Sequence, residues 1–300
     1  MPAPPRPQPD DEVAAEDATK DATEDATGGG GRLVGRVADV TAFPVKGLGP
    51  RVLDRVVLAP GRGVPDDRLW ALARADGRYR PGADRPLPKN QFHVLVRDEV
   101  LARLRTRLDG TVLTLEDDGA PTLRADLATD QGRAAAGRFV ARVLGLADGT
   151  TPVVAHEPGL RFTDAAVDGP ELMEAVSLLN LASVADLAAR AGSPVDPLRF
   201  RANVHLDGPA PFAEAGWVGR TLRVGGARLE VVQETGRCAA TEVEPGSGRR
   251  DLPVPRLLRE HYGHARMGVY ALVRDGGVVR PGDPVVLEPR APVAAPSSGA

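Results

Sequence analysis

The chain has 300 residues, a net charge of −3 and 42% hydrophobic residues. That suffices for one large or two ordinary domains with a proper core, and gives no general electrostatic reason to bind nucleic acid. No apolar run approaches the roughly 18 residues that a membrane-spanning helix needs. The single cysteine, Cys238, excludes an internal disulfide, a Cys-x-x-Cys zinc site and an iron–sulfur cluster, each of which takes several thiols.

Met1 to Gly31 begins with prolines, continues as Ala, Asp, Glu and Thr, and ends in glycines. It has neither the basic start nor the apolar middle of a secretory signal. It is expected to be a disordered acidic tail (1–31), and the chain to be cytoplasmic. The Pro/Ser/Ala-rich 291–300 is expected to be a second disordered tail. Between them, short β-like runs dominate: Leu33 to Val45, Val52 to Leu58, Leu69 to Ala73, Phe92 to Val96 and Thr111 to Leu115, separated by Gly, Pro and Asp clusters. The spacing of Ala135, Phe139, Val140, Val143 and Leu144 predicts a helix over 131–144. A Pro/Gly-punctuated stretch, 150–170, joins a first domain (32–150) to a second (151–290).

The second half opens on Ser183-Val184-Ala185-Asp186, which reads as a helix start, with Gly192 as the stop. Strands are expected at Ala202 to Leu206, Thr221 to Val224, Ala227 to Val232 and Arg237 to Val243. A short helix follows Pro253 or Pro255, with Leu257, Leu258 and His261 on one face and Gly263 at its end. Asp275-Gly276 reads as a hairpin turn between Tyr270 to Val273 and Val278 to Val279, and Val285 to Leu287 is a last strand. Many short strands with few helices define a mainly β chain with helical insertions: a barrel core preceded by a smaller barrel-like domain.

No dinucleotide fingerprint, Walker A motif or Gly-x-Ser-x-Gly elbow is present. His261 and His264 could share a helical face, but companion ligands for zinc are not evident. Of the 38 basic residues only Lys20, Lys46 and Lys89 are lysine. Lys46, in the turn Phe43-Pro44-Val45-Lys46-Gly47, is therefore singled out. With Arg68, Arg199, Arg201 and Arg237, each beside a turn or strand end, it would suit an anionic ligand. Taken singly, each of these is as well explained as a solvated surface cation, and Arg68 as the local partner of Asp67. Arg237 would favour the thiolate of its neighbour Cys238, a soft ligand or a nucleophile; alone, Cys238 also reads as a small buried residue on a strand.

From about Arg32 to Glu288 the chain resembles the MOSC family, the domain of molybdenum-cofactor sulfurases and amidoxime-reducing components. The first half carries Phe43-Pro44-Val45-Lys46-Gly47 and Asp67-Arg68-Leu69-Trp70. The second carries Leu181-Ala182-Ser183-Val184-Ala185-Asp186-Leu187, Arg199-Phe200-Arg201-Ala202-Asn203, Gly236-Arg237-Cys238, Met267-Gly268-Val269-Tyr270 and Pro281-Gly282-Asp283. The resemblance implies a molybdenum cofactor (molybdopterin), with Cys238 as metal ligand and catalytic residue. It implies cofactor binding by Lys46, Arg68, Arg201 and Asn203, with Arg237 adjacent. The family's broader labels include pyridoxal phosphate binding. Three departures stand out: Gly47 where the family has Ser, Ala202 where it has Pro, and Gly169 to Met173 where it has a polar Asp-Thr-Ser-like stretch.

The resemblance leaves three functions open. One is an oxidoreductase that reduces N-hydroxylated small molecules with electrons from a separate ferredoxin-like or flavin-reductase donor. Another is a carrier module whose Cys238 persulfide, charged by a cysteine desulfurase, moves sulfur or cofactor without redox turnover. The third is a structural homologue that binds nothing.

Overall fold

A computed structural model of the protein describes residues 30–117 and 122–290. The two segments expected to be disordered tails lie outside the described residues, apart from Gly30 and Gly31. The first half holds β1 (Arg32–Ala42), β2 (Arg51–Leu53), β3 (Val56–Leu58), β4 (Ala71–Ala73), β5 (Arg105–Asp109), β6 (Val112–Glu116), β7 (Leu123–Asp126) and α1 (Asp130–Val143). There follow β8 (Val153–Ala155), α2 (Pro170–Met173), β9 (Val176–Asn180), α3 (Leu181–Ala191) and β10 (Val204–Asp207). The chain continues through β11 (Thr221–Val224), β12 (Ala227–Gly236), α4 (Val254–Tyr262), β13 (Arg266–Asp275), β14 (Gly277–Val279) and β15 (Pro284–Leu287).

Seven strands close into a barrel in the order β10-β9-β13-β12-β11-β15-β1, with β1 pairing back onto β10. Alternate side chains turn inward and fill it: Val40, Leu178, Val204, Leu222, Leu229, Val231, Val269 and Ala271 are fully buried there. Closure leaves the barrel no free edge, and β2 attaches outside, on β1. The mainly β barrel with helical insertions that the pattern implied is therefore the fold. A second core lies in the first half, where β5, β6 and β7 form a meander and α1 packs Phe139 and Val140 against Leu108, Leu113 and Leu115. Antiparallel β4–β8 pairing ties residues 71–73 to 153–155. Among the described residues no helix is long and apolar enough to cross a membrane.

Several local expectations fail for identifiable reasons. Val52 to Leu58 is two strands, because β2 pairs with β1 while β3, past Asp54-Arg55, pairs with β14. That pairing also removes the expected hairpin: β14 goes to β3 instead of folding back on β13, whose Val273 carbonyl accepts from the Gly61 amide at 3.0 Å. Phe92 to Val96 is not a strand, since only Phe92 bridges Ala73 and the Val94 carbonyl is taken by the turn amides of Arg97 and Asp98. The polar alternation of Arg105 to Asp109 hid β5. The helix expected to start at Ser183 starts at Leu181, capped by Asn180, whose side chain accepts from the Ala182 amide at 3.0 Å. Ser183 instead donates to the buried Glu214 at 2.9 Å and accepts from the Phe212 amide at 2.8 Å. His264 falls beyond the end of α4, and among the described residues no group of His, Cys, Asp and Glu could hold a metal on its own.

The barrel core carries the stability. Leu178→Ala is expected to cost about 2–5 kcal/mol, whereas Val52→Ala, at a side chain 68% exposed, should stay within about 0.5 kcal/mol. Urea unfolding of both variants beside the parent measures the difference.

Candidate functional site

Phe43-Gly47 and Asp67-Trp70 are zipped together. The Lys46 amide donates to the Trp70 carbonyl (2.8 Å), the Arg68 amide to the Phe43 carbonyl (2.9 Å), and the Phe43 amide to the Asp67 carboxylate (2.7 Å). The zip sets Lys46 and Arg68 side by side. Gly47 has φ +85°, and a Cβ there would come within 3.0 Å of the His93 carbonyl oxygen. Position 47 is thus a glycine position in this chain, and the family's serine would be strained in it.

The other half of the site comes from the ends of barrel strands. Arg201, at φ +52°, precedes β10. Cys238 follows β12, and the expected strand over 237–243 does not form. The Cys238 carbonyl instead accepts from the Thr241 amide (3.0 Å) and hydroxyl (2.8 Å), which starts a 3-10 turn over Ala239–Glu242. Cys238 is therefore a half-buried residue at a turn, not a buried residue on a strand. Two arginines hold that turn. Arg237 donates to the Phe200 carbonyl (2.9 Å) and twice to that of Met267, while Arg199 reaches the Glu242 carbonyl (3.1 Å) and Asp251 (2.7 Å). Gly268 is needed beneath them, since a Cβ would lie 2.5 Å from the Leu178 carbonyl oxygen and 3.0 Å from the Arg237 guanidinium.

All six sequence-predicted residues, Lys46, Arg68, Arg201, Asn203, Arg237 and Cys238, line one cavity of about 370 Å³, a size suited to a compact cofactor or substrate. Their availability differs. Arg68 pairs with Asp67 and donates to the Arg201 carbonyl (2.7 Å), Arg201 donates to the Leu48 carbonyl (2.7 Å), and both guanidinium groups lie over the Phe43 ring, at 4.8 and 4.3 Å. The Asn203 amide is engaged within the fold: its oxygen accepts from the Ser177 hydroxyl (2.8 Å) and its nitrogen donates to the Thr41 carbonyl (3.2 Å).

Burial, opposed by Asp164, pushes the Lys46 amine below its ordinary value. Burial together with neighbouring Arg68 lowers Arg201 to about 9. Burial lowers Arg237 to about 10, against the pull of Tyr270 and Cys238. An anion in the cavity would relieve the repulsion among these cations.

Sequence reasoning missed two members. Lys89 approaches the Cys238 thiol; burial disfavours its charge, but Cys238 and Asp164 outweigh burial and raise its pKa. Asp164 pairs with Lys46 and lies 3.7 Å from Lys89. The rarity of lysine was the available signal for Lys89. Both lysines among the described residues sit at this cavity, and Lys20 lies outside those residues. Nothing local marked Asp164.

The family models agree with this architecture. The chain matches the MOSC N-terminal beta barrel domain over residues 34–150 and the MOSC domain over 161–286. It belongs to the MOSC family. It is 35% identical over 122 residues to the mitochondrial amidoxime-reducing component 1 of Xenopus laevis, covering 37% of this chain and 35% of that protein. It is 25% identical over 243 residues to the molybdenum cofactor sulfurase of Caenorhabditis briggsae, covering 78% of this chain and 33% of that one. The chain thus spans about a third of the length of the curated relatives it matches. The crystal structure of the YUAD protein from Bacillus subtilis aligns at 14% identity and a TM-score of 0.42, over 86% of this chain and 98% of that one.

Burial works against the Asp164 charge, but Lys46, with Lys89 and Arg68, holds the carboxylate below its ordinary 3.8. A depressed carboxylate pKa contributes stability that is complete above the ordinary value and lost as pH falls through the lowered one. The Asp164 side chain is 50% exposed, so screening limits the effect. Asp164→Asn should cost at most about 1 kcal/mol near neutral pH, and the difference from the parent should shrink as the pH is taken below the ordinary 3.8. Thermal unfolding at the two pH values measures it.

Proposed function

We propose that this protein binds a molybdenum cofactor and uses it to reduce N-hydroxylated small molecules. The observation that carries the reading is the cavity itself, where a half-buried thiol and four cations, Lys46, Lys89, Arg68 and Arg201, meet on one volume. The relatives include an amidoxime-reducing component and a molybdenum cofactor sulfurase, which favours this group over other anions.

The residues present fit such a group. Its phosphate calls for clustered cations, and Arg forks with Lys point charges provide them. Its polar ring system calls for uncharged donors, and the buried hydroxyl of Thr163 lines the cavity without a partner. One thiol cannot hold a metal alone, so the metal would arrive already ligated and take Cys238 as its protein ligand. When bound, the cofactor would supply the two-electron redox chemistry and accept the substrate oxygen.

The chain's own residues would do the rest. Lys46, Arg68 and Arg201 hold the anionic end. Arg237 and Asn203, whose polar atoms serve the fold, keep the Cys238 turn and the strand ends in place. Lys89 sets a positive charge beside the thiol that would ligate the metal. One cysteine cannot hold an iron–sulfur cluster, and the electrons would be supplied by a ferredoxin-like or flavin-dependent donor.

A second reading has support in the same contact. A half-exposed thiol beside a lysine also suits a persulfide, and then Cys238 would carry sulfur from a cysteine desulfurase without turnover.

Protein purified from a host that makes the cofactor should contain near-stoichiometric molybdenum and pterin, with the metal falling to background in Cys238→Ala. Lys46→Met should retain pterin roughly ten- to a hundredfold less tightly, the effect of one charge-assisted hydrogen bond. Metal analysis and oxidised-pterin fluorescence read both. A metal-free parent whose Cys238 takes up persulfide from a desulfurase would replace the first reading with the second.

A further inference from the structure

Of the motif Met267-Gly268-Val269-Tyr270 only Tyr270 lines the cavity. The part behind it is a bulge. Glu234 pairs with Val269 and Gly236 with Arg266, so β13 carries one residue more than β12 between those pairs. Gly268 takes the φ of +75° that such a bulge asks of a glycine. Both polar ends of the Met267–Gly268 peptide go to side chains. Its carbonyl accepts from Arg237 Nε at 2.8 Å and again from the same guanidinium, and its amide donates to Glu214 at 3.3 Å. One peptide unit thus stands between a guanidinium and a carboxyl group.

Glu214 is 2% exposed. It sits in a 3-10 turn, Ala213–Trp217, entered through Phe212 at φ +60°, a strained backbone for an aromatic residue. Besides the Gly268 amide, Asn180 Nδ2 (3.0 Å) and the Ser183 hydroxyl (2.9 Å) point at it. Neither can turn round. The Asn180 oxygen accepts from the Ala182 amide and the Ser183 oxygen from the Phe212 amide, so each is left to donate. Glu214 accepts from all three groups, which is the bonding of a carboxylate. A buried carboxylate calls for a counter-charge, and the bonding supplies Arg237 across the peptide. Burial lowers Arg237 to about 10, while Tyr270, Cys238 and Glu214 oppose it. The Arg237 amide is held as well, by the Ala265 carbonyl at 2.8 Å, and Cys238 is the next residue.

We propose that Glu214 is a positioning residue for the Cys238 thiol: through the Met267–Gly268 peptide it fixes Arg237, and with it the strand end that carries Cys238. The proposal rests on the reading above only in taking Cys238 as the working thiol, whether as metal ligand or as persulfide carrier. Glu214 does not line the cavity and acts through Arg237. A glutamine has the same size but brings an NH2 group to a place where every neighbour donates. One of the three bonds must fail, and the bond to Gly268 is the longest. The peptide then turns at its glycine, Arg237 loses its carbonyl and the half-buried thiol opens.

The test uses the full chain purified without cofactor, so that the thiol is read free of ligation and turnover. Cys238 is the single thiol, and its rate of reaction with N-ethylmaleimide at one fixed pH reports its position. Urea unfolding of each variant separates loss of position from loss of fold. Glu214→Gln should raise the rate about 2- to 10-fold, the shift that one lost hydrogen bond permits. Ser183→Ala removes a bond from the far side of the same carboxylate and should leave the rate at the parent value. Arg237→Met cuts the link itself, so it should raise the rate, and adding Glu214→Gln to it should change nothing more. A parent rate in folded Glu214→Gln overturns the assignment. So does an equal rise in Ser183→Ala, which would make the effect a general loosening, and so does a further rise in the double variant. Should Glu214→Gln fail to fold, Arg237→Met decides alone, and a parent rate there overturns the assignment. Molybdenum content of parent protein from a cofactor-making host is measured separately: a metal-free parent overturns the proposed function, and a raised rate in Glu214→Gln still upholds this assignment.

Discussion

The pairing of β1 with both β10 and β15 is the constraint on which the site depends. β1 comes from the N-terminal stretch, yet it is the stave that closes the barrel of the second half. Once it is locked there, the chain leaving its end must cross the barrel's outer face, and Phe43 to Gly47 land beside the ends of β10 and β12. Lys46 and Cys238, far apart in sequence, become neighbours on one cavity because a barrel tolerates no open edge. The matched family segments begin at 34 and 161, but hydrogen bonding makes the first strand of one a structural part of the other.

The electrostatic design follows from gathering cations in a partly buried place. Charges of one sign in a low-dielectric pocket repel and lose hydration. The protein meets this with carbonyls for Arg68, Arg201 and Arg237, with Asp67 for Arg68, and with Asp164 for the two lysines. Arginine tolerates the setting because its weakly hydrated fork is satisfied by fixed acceptors. Lys46 is lowered by burial and relies on Asp164 and the Phe162 carbonyl at 2.8 Å. The result is a cluster of cations with partners inside the protein that remains electrostatically complementary to an anion. Ser177, Tyr270 and Gln233, on β9, β13 and β12, give the same cavity an uncharged wall.

Lys46, Arg68, Arg201 and Cys238 were legible because each sits in a short motif, and a motif constrains backbone as well as side chain. Zipping Phe43-Gly47 to Asp67-Trp70 needs those turns, and the Cys238 turn needs Thr241 three residues on. Lys89 and Asp164 were not legible. They reach the site from connecting segments whose course is set by what they pack against. Gln233 and Tyr270 were hidden differently, since facing the cavity depends on one extra residue in β12 and on the register with β13. Asn203 and Arg237 were found, but their hydrogen bonds serve the framework, which motif position alone does not distinguish.

The sequence by itself determined the mainly β class, the places of α1, α3 and α4, the lone thiol and the family to which the chain belongs. Periodicity, turn residues and motif spacing are local properties and can be read one segment at a time. Only the tertiary structure decided which strand pairs with which: β14 goes to β3 and not back to β13, β1 closes the barrel, and the residues at 237–243 turn instead of extending. Those outcomes rest on competition for a limited number of strand edges and carbonyls, and that competition exists only once the distant parts of the chain meet.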